Sequence, residues 1–260
     1  MNRRLVPDLR RSGPSRLNGG GPMTGSERFL IVNADDFGMS KAVNQGIIEA
    51  HDRGIVTSAS LLVCWPGAEE ASEYALRHPR LGIGLHADFG EWSWNGGEWR
   101  TVYKRVPDGD LSAISAELGR QLEVFRRLMG RDPTHLDSHQ NVHRRTPFRG
   151  VFLAVSRSLG VPLRGCTSGV IHCGRFYGQT RTGESLPGTI GVEALLAILG
   201  TLGPGVTEMG CHPGAEDGPG PGYRMERASE TRTLCDPRVR SALAEQGITL
   251  CSFADMGIHA

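Results

Sequence analysis

The chain has 260 residues, with 29 basic against 28 acidic side chains for a net charge of +1. That length suits one large α/β domain, since barrels of this class run to about 250 residues as a single unit. The even charge argues against a dedicated nucleic-acid or anionic-membrane surface, and no apolar run approaches the roughly 18 residues of a membrane span.

Residues 1–26 are rich in Arg, Gly, Pro and Ser, and Arg3, Arg4, Arg10, Arg11 and Arg16 have no apolar stretch behind them. A secretory signal needs such a stretch, so the segment reads as a disordered leader before a domain over residues 27–260, with Met23 a candidate start of translation. Phe29-Leu30-Ile31-Val32 then opens a buried strand that ends in Asp35 and Asp36. Gly38, Ser40 and Lys41 lead into helical apolar spacing at Ala42, Val43, Gly46, Ile47, Ile48 and Ala50. The acidic pair therefore falls at the C-terminal end of a strand, where parallel α/β folds collect ligand and catalytic groups. Neighbours on extended backbone point opposite ways, so the two aspartates can take different roles. The competing reading is a solvated turn or a helix N-cap.

A second strand is expected over Ile55 to Val63, then a Trp-Pro-Gly turn and a helix near residues 67–78. Leu81 to His86 reads as a strand, Trp92, Trp94 and Trp99 fall in a Gly/Asn/Ser loop, and Leu111 to Met129 has helical spacing. Thr134 to His139, a helix near 147–159 and a short strand at Val161 to Arg164 follow, then an irregular Gly-rich segment over 165–190. A helix at about 191–202, a strand at Val206 to Cys211, a Gly/Pro-rich loop to Gly222, helical segments from Glu226 to Gln246 and a strand at Ile248 to Phe253 complete the order. Alternating strands and helices imply parallel pairing with right-handed crossovers, hence a barrel or a strongly curved sheet. Cys64, Cys166, Cys173, Cys211, Cys235 and Cys251 form no CxxC pair. They read as reduced thiols of a cytoplasmic protein.

His86, His139, His143 and His212 each follow a predicted strand. A lone histidine reads as a core or surface imidazole, but histidines and aspartates at the same end of four parallel strands are brought together by the fold itself. One carboxylate and two imidazoles are the ligand set of a catalytic divalent metal.

Asn33-Ala34-Asp35-Asp36-Phe37-Gly38, Gly46-Ile47-Ile48-Glu49-Ala50, Gly54-Ile55-Val56-Thr57-Ser58, Gly84-Leu85-His86, Thr134 to His143 and Cys211-His212-Pro213-Gly214 occur in that order. Together they resemble the YdjC-like carbohydrate deacetylases, the group that includes chitooligosaccharide deacetylase. The resemblance runs from about residue 29 to 255. It implies an α/β fold of the deformed (β/α), TIM-like barrel type and metal-dependent removal of an N-acetyl group from an amino sugar. By motif position it makes Asp36, His86 and His139 metal ligands, Asp35 the general base and His212 the general acid. One departure is Gln140-Asn141 before Val142-His143, where the family commonly has an imidazole at the second position.

The two imidazoles rank Zn²⁺ above Mg²⁺ for the single divalent ion, with Mg²⁺ left open by the resemblance. Asp137 or Glu208 is placed to orient an imidazole from behind. Trp92 and Trp94 suit stacking on a sugar ring or packing of their loop, and His143 joins them as a substrate-side candidate. Arg224, Arg227 and Glu230 contact substrate or pair on the surface. The expected partner is an N-acetylated amino sugar, with no nucleic acid and no membrane, and the assembly is left as monomer or homodimer. Rival readings are a phosphoesterase or another C–N hydrolase on the same scaffold, and a non-catalytic sugar-binding module.

Overall fold

A computed structural model describes residues 26–95, 97–215, 223 and 225–256. The leader expected over 1–26 falls, up to residue 25, outside the described residues, as do Arg224 and the loop over 216–222.

The strand predicted from its apolar run is β1, Arg28–Phe37. Along one edge, Arg28 to Ala34 pair in parallel with β8, Gly205–Cys211. The other edge is shared. Arg28 to Ile31 pair with β9, Ile248–Cys251, and from Asn33 onward the partner is β2, Ser58–Leu61. β3 (Gly82–Ala87), β6 (Leu136–Ser138) and β7 (Val170–Cys173) complete a seven-stranded parallel sheet of order β6-β3-β2-β1-β8-β7, with β9 attached to β1. This is a single-domain, curled half-barrel, and its two outer strands do not pair with each other.

Side-chain alternation along β1 divides the interior. Leu30, Val32 and Ala34 face the helices and join the large core with Ile47, Leu118 and Phe125. Phe29 and Ile31 pack instead with Val206, Cys251 and Phe253 in a small second cluster. Asn33 and Asp35, next in the same inward register, are buried polar groups. Gly84 has no room for a side chain, because a Cβ there would come within 2.3 Å of the buried His135 ring.

Helices α1 (Lys41–Asp52), α2 (Ala68–Arg77), α3 (Leu111–Met129), α4 (Phe148–Leu159), α5 (Val192–Leu199), α6 (Met225–Cys235) and α7 (Pro237–Glu245) follow the predicted order. Local signals set their ends. Ser40 caps α1 through Val43 N–H, Asp110 caps α3 through Ala113 N–H, and Gly130 stops α3 at φ 66°. All six cysteines are free thiols, and no described helix is long and apolar enough to cross a membrane.

Three expectations fail. The tryptophan segment is not a loop but an antiparallel hairpin of β4 (Gly90–Asn95) and β5 (Glu98–Lys104), with Trp94 opposite Trp99. Val161 to Arg164 contributes only an isolated bridge at Leu163, since Pro162 has no N–H to donate to a ladder. The segment over 165–190 is not wholly irregular, because β7 lies inside it as an edge strand on β8.

Candidate active site

At the C-terminal end of β1 the backbone leaves the extended region. Asp36 has φ 68°, and the register between β1 and β2 shifts between Ala34 and Phe37. A left-handed aspartate is uncommon and tolerated only where its surroundings hold it. The turn breaks the alternation expected of adjacent residues, so Asp35 and Asp36 do not point to opposite faces. Both carboxylates reach His86. Asp36 Oδ1 is 3.5 Å from His86 Nε2, and an oxygen of Asp35 lies within 4.8 Å of donor atoms of His86 and Asp137.

His86 comes from β3, where Gly84 and Leu85 precede it. Its Nδ1 bonds Asp137 Oδ1 at 2.8 Å, which directs Nε2 toward Asp36. His139 follows β6 and starts a short turn in which Gln140 and Asn141 are left-handed at φ 51° and 54°. Its Nδ1 lies 3.1 Å from Asp36 Oδ1. The donor atoms of Asp36, His86 and His139 all fall within 4.8 Å of one another. The Nε2 atoms of His86 and His139 are buried without a hydrogen-bond partner. The unsatisfied His86 Nε2 and a ring nitrogen of His139, both facing one Asp36 oxygen, fit a divalent cation.

The other Asp36 oxygen is taken by Arg227 Nη2 at 2.6 Å. Burial alone would raise the Asp36 pKa, but the Arg227 charge and the two imidazoles outweigh it and hold the carboxyl well below its ordinary range. Burial likewise opposes ionisation of His86 and Asp137, yet their mutual attraction raises the histidine and lowers the aspartate, with Arg164 adding to the latter.

Asp35 Oδ1 accepts from Arg164 Nη1 at 2.7 Å and from Asn33 Nδ2 at 2.8 Å. Its other oxygen faces His212 Nε2 at 3.8 Å. Arg164 also bonds Asp137 Oδ2 and approaches Glu208 at 3.8 Å, so one buried guanidinium ties the site's carboxylates together. Burial lowers the His212 pKa, with Asp35 and Asp36 partly restoring it. Behind His212 its own N–H donates to Glu230, a fully buried carboxyl that also accepts from Tyr223. Burial pushes Glu230 up to about 8.

Asp137 orients His86, but Glu208 bonds His172 Nδ1 at 2.6 Å, away from the cluster of Asp36, His86 and His139. His143 is 1% exposed, with its ring nitrogens held by Ser138 Oγ and the Arg164 carbonyl. Those two contacts link the turn after β6 to the Arg164 backbone. Trp92 is half-buried against the main core, whereas Trp94 is 38% exposed and stands edge-on to Trp99. Gln140 bonds both the N–H and the carbonyl of Trp92, at 3.0 and 2.8 Å, joining the hairpin to the His139 turn. The sequence signal for Arg164 is slight, a single charge after the apolar Val161-Pro162-Leu163.

Residues 29–245 match the family described as YdjC-like protein. The chain belongs to the YdjC-like family. Among curated relatives of this YdjC-like chain, the carbohydrate deacetylase of Geobacillus stearothermophilus is 33% identical over 249 residues, covering 88% of this chain and 98% of that one. The chitooligosaccharide deacetylase of Serratia marcescens is 33% identical over 272 residues, covering 88% and 100%. Among solved structures, an Enterococcus faecalis V583 protein described as a candidate cellobiose-phosphate cleavage protein superposes with a TM-score of 0.69 at 30% identity, covering 88% and 98%. A family 4 carbohydrate esterase from Streptomyces lividans shares the fold at a TM-score of 0.52 and 13% identity, covering 87% and 92%.

Proposed function

We infer that this YdjC-like chain is a divalent-metal-dependent hydrolase that removes the N-acetyl group of an amino sugar or amino-sugar conjugate, releasing acetate and a free amine. The observation that carries this reading is the orphaned imidazole pair of His86 and His139 against Asp36, with Asp35 and His212 alongside. The relatives named for carbohydrate and chitooligosaccharide deacetylation support the substrate class.

Asp36, His86 and His139 would hold the ion, and two nitrogen ligands favour Zn²⁺ over Mg²⁺. Bound there, such an ion would supply Lewis acidity to water and to the acyl oxygen near neutral pH. Asp35 takes the proton of the attacking water on its carboxylate, which Arg164 and Asn33 hold in one orientation. The amide nitrogen must leave as a neutral amine, so it has to gain a proton as the C–N bond breaks. Burial keeps His212 neutral at rest, and Asp35 Oδ2, 3.8 Å from His212 Nε2, is positioned to pass the proton on to it. His212 Nε2 then delivers that proton to the departing nitrogen.

Phosphate-ester cleavage suits this site less well. Arg164 and Arg227, the guanidinium groups beside it among the described residues, are already engaged by Asp35, Asp137 and Asp36. A panel of N-acetyl amino sugars and sugar phosphates, assayed for acetate and for phosphate, tests the inference. Acetate release from at least one amide is expected, and phosphate release without acetate would overturn it.

A further inference from the structure

We propose that the hydroxyl of Tyr177 donates a hydrogen bond to the carbonyl oxygen of the scissile acyl group, as a second donor for the negative charge that develops there. The assignment rests on the amide-hydrolase reading above and adds a residue from the segment between β7 and α5 to its machinery. Tyr177 is placed by neighbours on several sides. Its ring stands edge-on to His212, with centroids 5.4 Å apart and planes at 68°, and stacks on Tyr223 at 5.0 Å and 21°. Tyr223 in turn lies 5.2 Å from His212, so the three rings close on one another.

Tyr223 cannot drift. Its hydroxyl donates to the buried Glu230 and accepts from Gly178 N–H at 2.5 Å. The backbone around Tyr177 is held as well. Its carbonyl accepts from Thr189 Oγ1 at 2.6 Å, Phe176 before it is 1% exposed, and a Cβ on Gly178 after it would meet Glu226 and Ile190 at 2.8 Å. The ring is packed against His212 and Tyr223 while the residue is 40% exposed, which leaves its polar end open to a bound molecule. The hydroxyl of Tyr177 has no hydrogen-bond partner among the described residues, while Tyr223 beside it has two.

Chemistry narrows that use. Burial, together with the charges of Asp36 and Glu230, raises the Tyr177 phenol above its ordinary value. It therefore stays protonated wherever the enzyme works, and acts as a donor, never as a base or nucleophile. The edge-on contact with His212, whose Nε2 faces Asp35 at 3.8 Å, puts the ring beside the two groups that move protons at the scissile amide. A carbonyl oxygen gaining charge has two lone-pair directions, and a pre-placed donor that strengthens only in the transition state lowers the barrier without tightening ground-state binding. The proton remains on the phenol throughout, so no covalent step is added.

Tyr177→Phe tests this, because it removes only the hydroxyl and keeps the ring stack. With an N-acetyl amino sugar that the wild type hydrolyses, kcat should fall about 10²-fold while KM and bound-metal content stay unchanged. Affinity for a tetrahedral phosphonamidate analogue of the amide should fall by the same factor, and affinity for the free amino-sugar product should not. A raised KM with unchanged kcat would overturn the proposal and assign the hydroxyl to the sugar. Unchanged kcat and KM would overturn it outright. Wild-type protein that releases no acetate from any amide removes the hydrolase reading and this proposal together, whereas an active wild type matched by the Phe variant removes the proposal alone.

Discussion

Replacing Arg164 by Met would strip the counter-charge from a cluster of buried carboxylates. The guanidinium is 5% exposed, 2.7 Å from Asp35, bonded to Asp137 and 3.8 Å from Glu208. Asp137 and Glu208 are each 1% exposed, and Asp35 is 7% exposed. Their ionised forms would be left without compensation where water cannot replace the lost partner. Breaking a buried ion pair from one side costs about 3–5 kcal/mol. For a chain of this size each kcal/mol lowers Tm by about 2–4 °C, which gives a fall of about 6–20 °C. Arg164→Lys keeps the charge but loses the fork that serves Asp35 and Asp137 together, so it should fall between wild type and Met. Denaturant unfolding and thermal melts, run on chelated and on metal-loaded protein, separate loss of the ion pair from loss of metal. A Met variant within about 1 kcal/mol of wild type in both states would refute the view that this arginine holds the site together.

Asp36→Asn should reduce bound metal, whereas Asp35→Asn should retain it and lower kcat by roughly 10²–10⁴-fold; equal metal loss in both would show that the pair does not divide its roles. His212→Ala should keep its metal and lose far more activity on an N-acetyl amide than on an O-acetyl ester of the same sugar, because an alkoxide leaves more easily than an amide anion. Equal deficits on the two substrates would remove His212 as the leaving-group acid. Burial raises Glu230 from an ordinary 4.5 to about 8, so the folded chain holds a proton there that the unfolded chain releases. The stability this contributes is complete below about pH 4.5 and is lost as pH rises through about 8. Glu230→Gln should therefore flatten the decline in unfolding free energy over that interval, and an unchanged decline measured by denaturant titration would contradict the assignment.

Where local chemistry decides structure, the sequence was a good guide. The apolar run of β1 and the amphipathic period of α3, bounded by Asp110 and Gly130, are each sufficient over their own length. The hairpin has a local signal too, because Asn95 and Glu98 flank two glycines, a two-residue turn, although exposed tryptophans on either side suit a loop as well as cross-strand pairing. β7 was not legible. Its four residues are a strand only because β8, more than thirty positions later, lies alongside.

The same division holds in the site. Strand ends point to Asp35, Asp36, His86, His139 and His212 because parallel topology gathers them at one rim. Arg164 and Tyr177 reach that rim from connecting segments, whose course no periodicity encodes. His143 looked like its neighbour His139 in the motif, yet the left-handed turn at Gln140 and Asn141 sends it inward to Ser138 and the Arg164 carbonyl.

The most direct test of the account is a metal titration of chelator-stripped protein, with acetate release from an N-acetyl amino sugar and bound Zn²⁺ measured on the same samples. Acetate release should rise in proportion to bound ion and level off at one ion per chain, and the His86→Ala and His139→Ala proteins should fail to reach that plateau. Full-rate acetate release from protein with no bound ion would contradict it.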